Sequence, residues 1–589
     1  MKQPLITLLK NLWSHINSHH RRNIGLLLVL MLLTSLAEIV SIGSVLPFLG
    51  VLSAPEEVFG YASLQPVIQA FGITEPVQML LPLSIIFGVS VLISGAMRIL
   101  LLWAGTRLSY AIGHDLSISI YQRTLHQPYN IHCSRNSSEI ITGISTKIGE
   151  AINIVICINN IMISFIMLIT IFFALMLIDA TVAITLFGGF GFIYVIIILL
   201  TRKHLLADGA LIASESTHVI KTLQEGLGGI RDVLIDGAQD FYSEIYRNSD
   251  LPLRRAQGNK VIISTSPRFA VEALGMIFIV IIAYFITQQS EGIASAIPIL
   301  GAFALGAQRL LPVLQQGYAS WSIVRGSQSS LQDALKLLNQ PMPNQNNQLP
   351  TLQIPFNHKI TLNKVSFRYS VQTPYVLKQI DLSIEKGSSV GFIGTTGSGK
   401  STLLDVIMGL LHPTSGNLEI DGQSITHANQ RAWQDHIVHV PQAIFLTDSS
   451  IEENIAFGVH KNKIDRARVR YVAKLAQIDD TIENFTNQYQ TSVGERGIQL
   501  SGGQRQRIGI ARALYKKADI IIFDEATSAL DSATEEAVMK AIKSYSEKLT
   551  LLIVAHRIST LKNCTHIIEL NQGKIVRKCN YQDIVNELD

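Results

Sequence analysis

Val390-Gly391-Phe392-Ile393-Gly394-Thr395-Thr396-Gly397-Ser398-Gly399-Lys400-Ser401-Thr402 joins an apolar strand pattern, a glycine-rich turn and the start of an apolar helix continued by Leu403, Leu404, Val406 and Ile407. The spacing G-x-x-x-x-G-K-S in that strand–loop–helix context is the signature of a phosphate-binding loop. Glycines let backbone N–H groups converge on phosphate oxygens, and the helix N-terminus adds its positive dipole end. Lys400 supplies a point charge to the β- and γ-phosphates of a nucleotide, and the Ser401 hydroxyl is placed for Mg²⁺. On either side, from Ile360 onward, strand and helix patterns alternate as in a parallel α/β domain.

Two further motifs complete the chemistry. Ile520-Ile521-Ile522-Phe523-Asp524-Glu525 is a buried-strand pattern ending in two carboxylates. Asp524 suits the acid that supports Mg²⁺ in phosphoryl transfer, and Glu525 the group that polarises the attacking water. Leu500-Ser501-Gly502-Gly503-Gln504 opens another helix with a capping serine and small residues. One P-loop suffices for a domain's own phosphates. The second helix N-terminus therefore reads as a contact to nucleotide held by another copy, which predicts dimerisation with ATP between the copies.

The rest of the chain is of another kind. The 589 residues are 48% hydrophobic and only 16% charged, with a net charge of +4 and a mean hydropathy of +0.30. That is too apolar for a wholly soluble protein, and the charge excess is too small to argue for nucleic acid. Four scattered cysteines, without C-x-x-C spacing, suggest neither a zinc site nor a disulfide framework. No cleavable signal is expected, because the first apolar run is too long for one.

Six apolar stretches are long enough to span a bilayer, near 24–50, 78–103, 151–178, 181–200, 267–287 and 292–317. The leader and the connections 104–150 and 201–266 carry Lys and Arg, whereas 53–77 and the turns at Asp179 and Gln288–Glu291 carry none. The positive-inside rule then puts both termini in the cytoplasm. Arg107–Gln127 and Arg202–Ile245 are rich in helix formers, so the spans are expected to continue as helices into the cytoplasm. Breaks at Gln127-Pro128-Tyr129-Asn130 and Gly226–Asp232 mark short tip helices where a cytoplasmic domain would dock, with Ser137 or Ser138 capping the next helix. Pro341–Leu349 is polar and aperiodic. The expected organisation is a six-span all-α transmembrane domain over 1–335, a linker over 336–350 and a P-loop α/β nucleotide-binding domain over 351–589.

With these motifs the second half resembles an ABC-transporter nucleotide-binding domain, and the whole chain resembles a type IV ABC exporter half-transporter. The resemblance implies an adenine-stacking role for Tyr369 (in VSFRY), a Walker A loop over Gly394–Thr402 and a Q-loop at Gln442. It also implies an X-loop at Thr491–Gly497, a signature at Leu500–Gln504, Walker B at Ile520–Glu525, a D-loop at Ser528–Asp531 and a switch histidine at His556. Glu525, His556 and Gln442 would act in catalysis, with Ser401, Gln442 and Asp524 on Mg²⁺. ATP and Mg²⁺ are the implied cofactors, and a homodimer in a bacterial inner membrane is the implied assembly.

The cargo is written less plainly. Ala37–Gly43 with Pro47-Phe48, Gly228–Leu234 and Gln308–Pro312 resemble PglK-type lipid-linked oligosaccharide flippases. In that family a short periplasmic helix joins spans one and two, and Glu57–Phe71 is apolar enough to lie on the outer membrane surface. At about 1.5 Å per residue, Arg98, Arg268 and Arg309 all fall near the inner-leaflet headgroup level. Three guanidiniums there either clamp a pyrophosphate or snorkel to the interface. Glu38 and Glu272, within or near the hydrocarbon region, should face a cavity or neighbouring helices. Three functions compete: a flippase for lipid-linked glycan or glycolipid, an exporter of peptides or hydrophobic drugs, and a membrane regulator whose ATPase signals. Intact Glu525 and His556 argue against the last.

Overall fold

The computed structural model describes residues 3–53, 56, 59, 75–178, 180–287, 293–342, 354–527, 529–545, 548–555 and 557–586. The chain divides into two compact units. The first comprises 1–127 and 135–342; the second comprises 343–589 with 128–134, a segment that holds the short helix Tyr129–Ser134.

The first unit is helical. Its long helices are Ser18–Ser53, Leu80–Leu125, Ile148–Ile178, Ala180–Gly228, Gln239–Thr265, Pro267–Thr287 and Ile293–Gly326. Among the described residues, four helical stretches are long and apolar enough to cross a membrane: Ser18–Ser41, Leu80–Leu125, Ser137–Met176 and Ala183–Gly228. Leu80–Leu125, at 46 residues, runs unbroken through the basic connection that follows its apolar part, a length of about 69 Å. Ala180–Gly228 does the same until Gly229 breaks it, and the short helix Ile230–Ile235 follows. The helix at Ser137–Thr142 carries Asn136 at its cap position, one residue before Ser137 and two before Ser138, the serines expected there, and no side chain bonds the helix end. Glu57–Phe71 lies outside the described residues except for Phe59.

Apolar side chains point outward from these helices; Leu92, Ile99 and Phe192 are more than two-thirds exposed. Small and polar residues point inward, as expected where the surroundings are as apolar as leucine and burial gives no drive to associate. Ser35 meets Thr170 at 2.7 Å, Ser44 meets Ser90 at 2.9 Å, and Asn159 donates to Ser109 at 3.1 Å. Gly209 touches backbone: a Cβ there would lie 2.0 Å from the Gly326 carbonyl oxygen.

The second unit is α/β. We number its strands β1 (Lys359–Phe367), β2 (Leu377–Glu385), β3 (Ser389–Ile393), β4 (Ser415–Ile420), β5 (Gln423–Ser424), β6 (Ile437–Val440), β7 (Ile520–Asp524), β8 (Thr550–Val554), β9 (His566–Asn571) and β10 (Lys574–Cys579). An antiparallel sheet has the order β2-β1-β4-β5 and a larger sheet the order β10-β9-β3-β8-β7-β6. Within the larger sheet, pairings from β9 through β3, β8 and β7 to β6 are parallel. A strand covered on both faces reads as a continuous apolar run. On β7, Ile521 and Phe523 pack into one core and Ile520 and Ile522 into the other. The parallel order brings the C-terminal ends of β3, β8 and β7 to one edge, where an open α/β sheet receives its ligand.

Candidate functional site

The P-loop leaves β3 at Gly394. Gly394 has φ +145°, and a Cβ there would sit 2.1 Å from the Leu570 carbonyl oxygen, so only glycine fits. Gly399, at φ +102°, caps the helix Lys400–Ile407. Thr395, Thr396 and Gly397 form the exposed crest of the loop. Lys400 Nζ donates back to the carbonyl oxygens of Gly394 at 2.8 Å and Thr395 at 3.1 Å, which holds the ammonium inside the loop. Ser398 Oγ is buried without a hydrogen-bond partner among the described residues, and buried polar atoms are normally satisfied. An orphan hydroxyl in a turn of backbone amides fits a phosphate oxygen.

Asp524 ends β7 opposite Val554 of β8. Burial, then the charge of Glu525, pushes the Asp524 carboxyl above the usual range, while the Ser401 hydroxyl and Lys400 pull it down. The Ser401–Asp524 pairing supplies hard oxygen donors from two elements. No cluster of three His, Cys, Asp or Glu that would hold a metal exists among the described residues. That sparse set suits Mg²⁺, which is bound by one or two protein groups together with substrate phosphates.

Glu525 has φ +53°, an uncommon conformation for a side-chain-bearing residue and one that clusters at functional sites. Its N–H donates to the Val554 carbonyl at 3.1 Å, and its Oε2 accepts from Gln442 Nε2 at 2.6 Å. Tyr369 is half-exposed, and its hydroxyl lies 3.2 Å from Thr402 Oγ1, which leaves the ring beside the end of the P-loop. His556 and Ser528 lie outside the described residues.

The helix Gly502–Tyr515 begins with a capping box: Ser501 Oγ accepts from the Gln504 N–H at 3.2 Å, and Gln504 Oε1 accepts from the Ser501 N–H at 2.8 Å. Gly502 and Gly503 pass close to Ala529, where Cβ atoms would lie 3.5 Å from its Cβ and 3.1 Å from its carbonyl oxygen. Two residues here escaped sequence reasoning. Gln506, buried, accepts from the Ala529 N–H at 3.0 Å and ties the signature helix to the segment after Glu525. Asp405, one turn into the P-loop helix, is pushed up to about 6 by burial and then by the Asp524 charge. Neither residue has a motif of its own; only their neighbours mark them.

In the helical unit, Arg98 and Arg309 both pair with Oε1 of Glu38, Arg309 at 2.9 Å, and Ser94 donates to the other carboxylate oxygen. Glu38 is fully buried. Arg268 stays on its own helix, paired with Glu272 one turn on at 2.9 Å. The structure thus brings two of the three arginines together. Both line a cavity of about 350 Å³ whose wall also carries Asn159, Asn160, Gln308 and Gln316.

A P-loop beside an acidic strand end is shared by many nucleotide-binding proteins, and this chain adds the capped helix that follows Leu500. Residues 377–528 match the family model described as ABC transporter. The chain also resembles a solved bacterial Atm1-family ABC exporter with ATP bound, at a TM-score of 0.76 over 97% of each chain and 23% identity. The fold is therefore that of an ABC exporter. Among curated relatives, the ATP-dependent lipid A-core flippase of Cupriavidus metallidurans is 29% identical over 62% of this chain and 61% of its own length. The heterocyst differentiation ATP-binding protein HepA of Nostoc sp. is 31% identical over 62% and 59%. The alpha-hemolysin translocation ATP-binding protein HlyB of Escherichia coli is 39% identical over 43% and 35%. The chain spans about three-fifths or less of the length of these relatives.

Proposed function

We propose that the chain is an ATPase coupled to transport. As a homodimer in a bacterial inner membrane, it moves a lipid-linked oligosaccharide, glycolipid or polysaccharide precursor from the inner to the outer leaflet. It would have six spans, a transmembrane domain over 1–335 and a cytoplasmic ATP-binding domain over 351–589. The observation that carries the cargo reading is the cavity between helices that presents Arg98 and Arg309 beside four amide side chains. Guanidiniums suit phosphate and amides suit sugar hydroxyls.

The energetics favour such a machine. A charged headgroup costs about 2.5–3.5 kcal/mol per charge at the bilayer centre, and each unsatisfied hydroxyl adds a few kcal/mol. A polar cavity opened to alternate sides lowers that barrier. In the ATP site, Lys400 and the P-loop amides hold the phosphates, and Tyr369 stacks on the adenine. Ser401, Asp524 and Gln442 would hold Mg²⁺, which offsets phosphate charge. Glu525 orients water and takes its proton, with His556 on the γ-phosphate. Ser501, Gly502, Gly503 and Gln504 face the nucleotide of the second copy, so ATP binding closes the dimer and hydrolysis reopens it.

A second reading, export of peptides or hydrophobic drugs, is favoured by the resemblance to HlyB. ATPase activity in nanodiscs, with and without a polyprenyl-pyrophosphate glycan, separates the two. Stimulation by the lipid that is lost in Arg309→Ala supports the flippase. Robust basal activity that ignores the lipid moves the peptide or drug exporter to first place.

A further inference from the structure

Glu38 is fully buried and does not itself line the cavity, whereas its two partners Arg98 and Arg309 do and are each more than a third exposed. The carboxylate stands behind the guanidiniums and the cavity in front of them. A buried carboxylate is costly without compensating charge, and two cations on one anion leave the group with a net positive charge toward the cavity. Ser164, only 2% exposed, lies on the same wall, and its Oγ has no hydrogen-bond partner among the described residues.

We propose that Glu38 is a specificity-determining residue: an internal counter-anion that holds Arg98 and Arg309 in the empty cavity and competes with the anionic headgroup of the cargo for them. The inference rests on the lipid-transport reading and deepens it by naming the residue that sets how tightly the cavity holds phosphate. When a phosphate enters, guanidinium N–H groups turn from the carboxylate to the phosphate oxygens. When it leaves, Glu38 takes them back, so release does not strand two unpaired cations. Affinity is thereby given up in exchange for release, which a carrier needs at the end of each cycle. Asn160, Gln308 and Gln316 are left to bind uncharged hydroxyls beyond the phosphate.

The test is equilibrium binding of farnesyl phosphate to the full-length protein in nanodiscs, corrected with empty nanodiscs, with farnesol as the uncharged control of equal tail. Glu38→Gln should bind farnesyl phosphate about fivefold tighter or more, the low end of ordinary coupling between groups, with farnesol binding unchanged. Arg309→Ala should weaken farnesyl phosphate alone by a similar factor. Should the glutamine variant not fold, Glu38→Leu, of similar volume and without charge, is expected to shift affinity in the same direction. Equal or weaker phosphate binding in a folded Glu38 variant, or equal shifts for both lipids, overturns the role of Glu38. If the unaltered protein itself shows no preference for farnesyl phosphate over farnesol, the lipid-phosphate reading of the cavity fails with it.

Discussion

Gln442 and Glu525 are joined by a 2.6 Å hydrogen bond from the amide nitrogen to the carboxylate. The residues follow neighbouring parallel strands, β6 and β7. The segment after β6 therefore reports directly on the position of the group proposed to activate water. The Glu525 backbone is held at φ +53° with its N–H on Val554. Gln442 is a hydrogen-bond partner of its carboxylate there.

Glu525→Gln should lower the turnover of ATP by about 10²–10⁴-fold, the usual worth of a positioned base, with nucleotide affinity retained. Gln442→Ala should lower turnover less. Steady-state ATPase rates beside the binding of a fluorescent ATP analogue check both. Loss of binding in Glu525→Gln would mean that the carboxylate is structural.

Ser501→Ala removes the cap of the signature helix and should cost about 1 kcal/mol of stability. Ser501→Asn, which restores a capping oxygen, should recover the thermal midpoint. If the serine also touches nucleotide held by a second copy, ATPase activity stays low in both variants. Thermal unfolding and ATPase assays on the same preparations separate the roles.

Asp405 supplies a pH dependence with a definite sign. Its folded-state carboxyl is raised from 3.8 to about 6 by burial and the nearby Asp524. The folded form binds the proton more tightly than the unfolded one, so stability falls as pH rises through that window. The penalty is complete above about pH 6 and absent below the unfolded value. Asp405→Asn should therefore raise the melting temperature at pH 8 and raise it less at pH 5. An equal gain at both values would show that the carboxyl is not perturbed.

Gly209→Ala places a methyl 2.0 Å from the Gly326 carbonyl, and the helices must separate. Overpacking of this kind costs about 1–3 kcal/mol. Gly188→Ala, where no heavy atom lies within 4 Å of the added Cβ, is the control. Thermal unfolding in detergent should show a lower midpoint for the first and little change for the second.

The α/β unit and most of its candidate nucleotide site are legible in the residues alone, because the chemistry there is local. A P-loop needs consecutive residues whose backbone bends one way, a capping box needs partners three apart, and an acidic pair at a strand end needs only that strand. The long helices were legible for the same reason, since apolar content and a scarcity of glycine and proline act within each segment. Asn136 rather than a serine sits at one helix start because cap choice depends on the local turn as well as on residue type. Which distant groups meet is set by packing and is not written in any one segment. Glu38, Arg98 and Arg309 come from three different helices, and no periodicity within any of them states that their charges converge. Arg268 shares their sequence features but satisfies itself one turn away on Glu272. Gln506 on Ala529 and Gly209 against Gly326 are likewise consequences of packing. Pairing across elements depends on how whole helices and strands are stacked, and that arrangement is a property of the folded chain rather than of any window within it.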